Sequence, residues 1–144
     1  MIAIDTNILV YAHREDSEWH DRAAHAVLGL AEGVVPWAIP WPCVHEFLAI
    51  ATHPRIFRTP TPIAAALDQV DAWRESPSHT TLAENEGYWT TLRSLVAQAR
   101  VVGPRVHDAR VAALCLSHAV GELWTADRDF SAFPALRVRN PLVG

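Results

Sequence analysis

Ile2-Ala3-Ile4-Asp5-Thr6-Asn7 is the stretch on which the reading of the fold turns. Three apolar residues stop abruptly at a polar triplet. An uninterrupted apolar run is what a strand buried on both faces looks like, and such strands belong to parallel sheets covered by helices. Leu9 to Ala12 is then expected to continue as a short helical turn. From about Glu18 to Leu30, the residues Trp19, Ala23, Ala26, Val27 and Leu30 recur at helical spacing, and Gly33 ends the run. Val34 to Pro40 reads as a second strand interrupted by Pro36. Pro42 suits the first turn of a helix reaching about Thr52, where its missing N–H is not needed.

The rest of the chain keeps this alternation. Thr61-Pro62 opens a helix that runs to Ser76-Pro77, His79 to Leu82 is a third strand, and Glu86 to Gln98 a further helix. A loop from Val101 to Val106 holds Gly103-Pro104. Asp108 to His118 is helical, Glu122 to Thr125 a fourth strand, and Arg137-Val138-Arg139 a short fifth. No repeat, low-complexity tract or linker appears. The expectation is one α/β domain over residues 1–144, with a mostly parallel five-stranded sheet flanked by helices.

Composition narrows the function. Half of the 144 residues are hydrophobic and 19% are charged, so one sizeable core is feasible. No apolar run approaches the ~18 residues of a membrane helix, and Met1 to Asp5 carries no basic region, so no signal peptide and a cytoplasmic location are expected. Cys43 and Cys115 lack metal-type spacing and read as buried thiols in a reducing compartment. All twelve positive residues are arginine. The absence of lysine excludes P-loop nucleotide chemistry and Schiff-base catalysis. A net charge of −4 argues against coating nucleic acid through a broad basic face.

In parallel sheets ligands bind beyond the carboxyl ends of the strands. Asp5 follows the first strand there and Asp127 the fourth. Glu46 falls near the start of the helix after the second strand, and Asp108 opens the helix before the fourth. Each has a structural reading too. Asp5 and Asp108 occupy positions typical of helix N-caps, worth about 1 kcal/mol each. Glu46 suits a helix dipole, and Asp127 a turn before Arg128-Asp129. These readings do not explain why acids collect on one edge. Two carboxylates ~4 Å apart repel by several kcal/mol at an effective dielectric of about 20, so such a cluster takes up protons or holds a cation. All-oxygen ligation favours Mg²⁺ or Mn²⁺ over zinc, and such a site suits phosphodiester hydrolysis by an activated water.

The histidines add no competing chemistry. His45-Glu46 lacks the second histidine of a zinc-protease helix, and His107-Asp108 lacks the wholly helical setting of HD phosphohydrolases. His13, His20 and His25 read as solvated helix residues. The six tryptophans read as core.

Four segments together resemble PIN domains: Ile4-Asp5-Thr6-Asn7-Ile8-Leu9, Val44-His45-Glu46-Phe47, His107-Asp108-Ala109 with Val111-Ala112-Ala113, and Leu123-Trp124-Thr125-Ala126-Asp127-Arg128-Asp129-Phe130. The resemblance implies Mg²⁺ or Mn²⁺ held by Asp5 and Asp108, with Glu46 and Asp127 completing a catalytic site. It makes Thr6, Asn7 and Thr125 supporting residues and Asp129 an outer ligand. The compact size resembles the toxin half of bacterial VapBC-type toxin–antitoxin pairs. That likeness implies a homodimeric endoribonuclease, an RNA substrate and an antitoxin partner, with arginines such as Arg14, Arg55, Arg58 and Arg128 touching RNA. Two other roles remain open: a nuclease acting on DNA or in RNA processing, and a silent PIN-like binding module. Trp37, Pro40, Trp41 and Pro42 make the segment before Glu46 unusually rigid for this pattern.

Overall fold

The computed structural model describes all 144 residues. Five strands, β1 (Ile2–Ile4), β2 (Trp37–Pro40), β3 (His79–Leu82), β4 (Glu122–Trp124) and β5 (Val138–Arg139), form one sheet in the order β3-β2-β1-β4-β5. Every pairing is parallel. Six helices accompany them: α1 (Thr6–His13), α2 (His20–Glu32), α3 (Trp41–Ala51), α4 (Ile63–Arg74), α5 (Tyr88–Ala99) and α6 (Val106–Ser117). No helix is long and apolar enough to cross a membrane.

Right-handed crossovers dictate the layers. The chain steps from β1 to β2 to β3 in one direction, which puts α1 to α4 together on one face, and α1 packs on α2 and α3. It then crosses back to β4 through α5 and α6, which pack on each other. The strand order therefore reverses between β1 and β4. A crevice opens at such a reversal, beyond the strand ends. The register Ile4↔Trp124 sets Asp5 and Thr125 side by side as the first residues past it.

The sheet is lined by the buried side chains expected of a doubly covered parallel sheet, with Ala3, Ile4, Trp37, Ala38, Ile39 and Leu123 all inaccessible. Phe47, Phe130 and Phe133 are phenyl rings buried in the same core. Trp37, Trp73 and Trp124 belong to this core, whereas Trp19 and Trp41 are half-buried and Trp89 is 65% exposed. Both cysteines are buried thiols.

Four local expectations need correction. The second strand is only Trp37–Pro40: Val34 is 94% exposed, and Pro36 contributes a carbonyl to Ile2 but has no N–H to extend the ladder. The turn expected at Leu9–Ala12 is a full helix beginning at Thr6, because the Asp5 carboxylate accepts the Thr6 N–H at its head. The last long helix starts at Val106 rather than Asp108. Gly103, at φ +60°, and Pro104 wind a 3-10 turn over Gly103–Arg105 that runs directly into α6. His13 and His20 are not free in solvent. His13 lies between Gln69 and Thr61 with its ring edge-on to Phe47, and the Nδ1 of His20 meets the Tyr11 carbonyl.

Candidate active site

Asp5 caps α1 and is 8% exposed, so every lone pair it cannot give to water needs a donor. Oδ1 accepts from the Thr6 N–H at 2.8 Å and from the Cys43 thiol at 3.5 Å. Oδ2 accepts from the Thr125 hydroxyl at 2.7 Å, with the Asn7 amide at 3.5 Å. Burial raises the pKa of Asp5, opposed by the hydrogen bonds from Thr125, Thr6 and Cys43, while the charge of Asp127 adds to the rise. The carboxylate is therefore clamped in one orientation.

The loop after β4 is tied to the same clamp. Asn7 accepts the Ala126 N–H at 3.1 Å and donates to Thr125 Oγ1 at 3.3 Å. Thr125 Oγ1 also accepts the Asp127 N–H at 3.0 Å, and Asp127 in turn accepts the Asp129 N–H at 2.8 Å. Thr6, Asn7 and Thr125 thus occupy supporting positions, joining the loop after β1 to the loop after β4. On the other side of the crevice, Thr6 Oγ1 donates to Glu46 Oε2 at 3.3 Å.

Acidic oxygens converge most closely at Asp108, Asp127 and Asp129, one from each lying within 4.8 Å of the others. Asp5 and Glu46 stand outside this compact group, but their charges reach it. Asp108 has its pKa pushed up to about 6, first by burial and then by Asp127, Asp5 and Asp129, against a smaller opposite effect of Arg105. Partial burial and the charge of Asp5 raise the pKa of Glu46, with Thr6 and His107 acting the other way. Asp108 is the third residue of α6 and caps nothing, which removes its N-cap reading. Asp127, by contrast, does cap the short 3-10 turn over Arg128–Ala132. Burial together with like charge is the condition a divalent cation relieves, and the oxygen-only donor set fits Mg²⁺ or Mn²⁺. An oxygen of Asp129 also comes within reach of this group, although the residue itself is exposed.

Sequence reasoning treated Cys43 only as a small buried residue, yet its thiol contributes to the Asp5 clamp. The signal was its spacing: Cys43 precedes Glu46 by one helical turn and so shares its face of α3. Arg55, Arg58 and Arg128 are exposed, as RNA contacts would require. Arg14 is not. It is 9% exposed, holds Asp16 through Nε at 2.9 Å and Nη2 at 2.6 Å, and donates to the Thr59 carbonyl and Thr61 hydroxyl. Its guanidinium also lies 4.0 Å from the Phe57 ring centroid. Arg14 is an anchor for the segment between α3 and α4, with four of its five N–H donors engaged inside the protein. Arg14→Ala should therefore destabilise the fold by roughly 2 kcal/mol, the scale of losing hydrogen bonds to a buried charged group, and should leave RNA affinity alone. Chemical unfolding read beside RNA titration distinguishes the two roles, and a weakened RNA complex at unchanged stability would reverse the assignment.

Comparison with known proteins places these features in a family. The PIN domain profile matches residues 2–136. Ribonuclease VapC43 of Mycobacterium tuberculosis is 34% identical over 144 residues, covering 100% of this chain and 97% of that protein. Ribonuclease VapC48 of the same organism is 29% identical over 140 residues, covering 97% of each. Among solved structures, VapBC2 from Rickettsia felis, bound to a DNA fragment from its promoter, has a similar fold. Its TM-score is 0.66 at 20% identity, covering 97% of this chain and 98% of that one. The M. tuberculosis sarcin–ricin-loop-cleaving toxin VapC20 gives a TM-score of 0.66 at 17% identity, covering 92% and 94%. With a family profile spanning nearly the whole chain and full-length relatives above 30% identity, this chain belongs to the PIN-domain family and, within it, to the VapC ribonucleases.

Proposed function

We propose that the chain is a Mg²⁺-dependent endoribonuclease, the toxin of a type II toxin–antitoxin pair, acting in the cytoplasm. The observation that carries this reading is the convergence of Asp108, Asp127 and Asp129, with the clamped Asp5 near enough to raise the pKa of Asp108, at the strand-order reversal of a PIN domain. Asp5, Asp108 and Asp127 are the proposed ion holders, with Glu46 and Asp129 flanking them. Bound there, Mg²⁺ or Mn²⁺ would acidify a water and offset charge on the phosphate. The chain's own residues do the positioning. Thr125, the Thr6 N–H and Cys43 hold Asp5 so that its orientation costs nothing at the moment of reaction. Thr6 steadies Glu46, which stands at the groove rim as a proton acceptor for the attacking water.

The ribonuclease names of the full-length relatives support RNA as substrate, and the toxin–antitoxin character of the similar structures supports an antitoxin partner; the homodimer is part of the same proposal and rests on the resemblance alone. Purified protein should cut single-stranded RNA in Mg²⁺, lose that activity in EDTA, and scatter light as a dimer at about tens of micromolar. RNA left uncut across a Mg²⁺ and Mn²⁺ titration would refute the nuclease reading; a monomer mass would refute the dimer.

A further inference from the structure

Two depressions lie next to the carboxylates, of about 410 and 380 Å³, and they share Pro42 and Arg110 as walls. They form one groove across the ends of the strands, between helices from opposite faces of the sheet. Its first wall is a stripe of α3 at positions 42, 45, 46 and 49; its second is a stripe of α6 at 107, 110, 111 and 114. Both stripes follow the i, i+3, i+4, i+7 spacing of a single helix face. Glu46 sits at one end, so the groove starts at the acidic site and leads away from it.

The walls carry two carboxylates, Glu46 in one depression and Glu84 in the other, but also aromatic and cationic groups. Trp41 and His45, one helical turn apart, stack with ring centroids 6.1 Å apart and planes 26° from parallel. The Arg74 guanidinium lies 5.0 Å from the Trp41 centroid. Trp41 therefore touches both Arg74 and His45, and His45 is exposed. Arg110 makes no ion pair, although it lines both depressions. His107 lines the same depression as Glu46. An aromatic layer with an open face, a guanidinium and an imidazole in one groove is the chemistry that takes a base and its phosphate.

We propose that this groove is a nucleotide subsite for single-stranded RNA, in which an unpaired base flanking the cut phosphate stacks on His45 and Arg110 holds the adjoining phosphate. The assignment rests on the nuclease reading for its substrate, but the binding it describes is separable from cleavage. A base within a duplex has both faces covered by its neighbours, so it cannot extend the stack. Selection of unpaired RNA follows.

The test uses the full-length protein and a fluorescent oligoadenylate about eight nucleotides long. Its abasic counterpart and an RNA duplex serve as comparisons. Affinity is read by anisotropy in EDTA, where no cutting occurs, with melting curves to confirm that each variant is folded. The parent should bind the single strand more tightly than either comparison. His45→Ala should weaken binding of the oligoadenylate at least about fivefold, the low end of one base–aromatic stack. It should weaken the abasic strand much less, and His45→Phe should restore affinity. The proposal is overturned by equal affinity of folded His45→Ala and parent, by an equal loss on the abasic strand, or by no parental binding at about a millimolar RNA. It is also overturned if His45→Ala spares RNA and weakens only an antitoxin complex, which makes the groove a protein-docking surface. Cleavage, measured separately in Mg²⁺, distinguishes the two readings. His45-dependent binding without cutting supports the subsite and defeats the nuclease. Cutting with His45-independent affinity defeats the subsite alone.

Discussion

Asp5→Asn is expected to lower the Mg²⁺-dependent cleavage rate by at least about a hundredfold, the scale lost when one preorganised electrostatic contact leaves an active site. Asparagine has nearly the same shape, so the crevice keeps its form while losing an anionic oxygen. The hydrogen-bond pattern sets the structural outcome. With its oxygen in the Oδ1 place, asparagine still accepts the Thr6 N–H that heads α1. Its NH₂ then faces Thr125, whose hydroxyl can turn from donor to acceptor. That rearrangement costs some stability, because Thr125 already accepts from Asn7 and Asp127. Removing a buried charge beside Asp127 offsets the loss. The melting temperature should stay within a few degrees of the parent, about one kcal/mol either way for a chain of this size. Melting and single-turnover cleavage on one preparation give both numbers. An Asp5→Asn protein that cuts RNA at the parental rate would show that the catalytic centre lies elsewhere.

Much of the arrangement behind this expectation was legible in the chain itself, for identifiable reasons. Ile2-Ala3-Ile4 and Leu123-Trp124 are apolar because both faces of their strands are covered, so their ends, and the acids there, stood out. Parallel order follows from strands alternating with helices, and the meeting of Asp5 with Thr125 follows from the register between β1 and β4. Less legible were features set by tertiary contacts. Asp108 looked like a helix opening because Gly103-Pro104 reads as a loop, whereas the 3-10 turn there carries the helix two residues further back. Arg14 looked like a surface cation. Asp16 takes two of its donors, and the return of the chain at Thr59 and Thr61, more than forty positions later, takes two more. That an oxygen of Asp129 comes within reach of Asp108 could not be read either, because nothing in a T-x-D-x-D spacing says so. The groove between α3 and α6 could not be read at all, since its walls belong to helices on opposite faces of the sheet.

Asp108→Ser tests the acidic site from its other side, and the position of Asp108 inside α6 sharpens the result. As a mere first-turn acid, Asp108 would stabilise the helix by about 0.3–1 kcal/mol through the dipole, and serine would cost that much. Burial and the charges of Asp127, Asp5 and Asp129 instead push its pKa up to about 6, which disfavours the ionised form in the folded protein. Serine should therefore leave the metal-free protein at pH 7 as stable as the parent or more so. It should also remove most of the Mg²⁺-dependent cleavage, because a neutral hydroxyl cannot replace an anionic oxygen at a hard cation. The same balance sets a pH dependence. A carboxyl whose pKa is raised on folding binds its proton more tightly in the folded state, so the stability it contributes is present below about pH 4 and lost as pH rises through about 6. Without metal, the parent should gain stability through this group on going from pH 7 to pH 5. In Asp108→Ser that gain should shrink, while the contribution of His79, whose pKa burial lowers to about 4, persists in both proteins. Divalent cation competes for the ionised form, so it should raise the parental melting temperature more at pH 7 than at pH 5. Four melting curves, parent and Asp108→Ser at the two pH values in EDTA, isolate the effect. Equal pH responses of the two proteins, with cleavage intact in Asp108→Ser, would return Asp108 to a surface helix acid and leave the crevice without its central ligand.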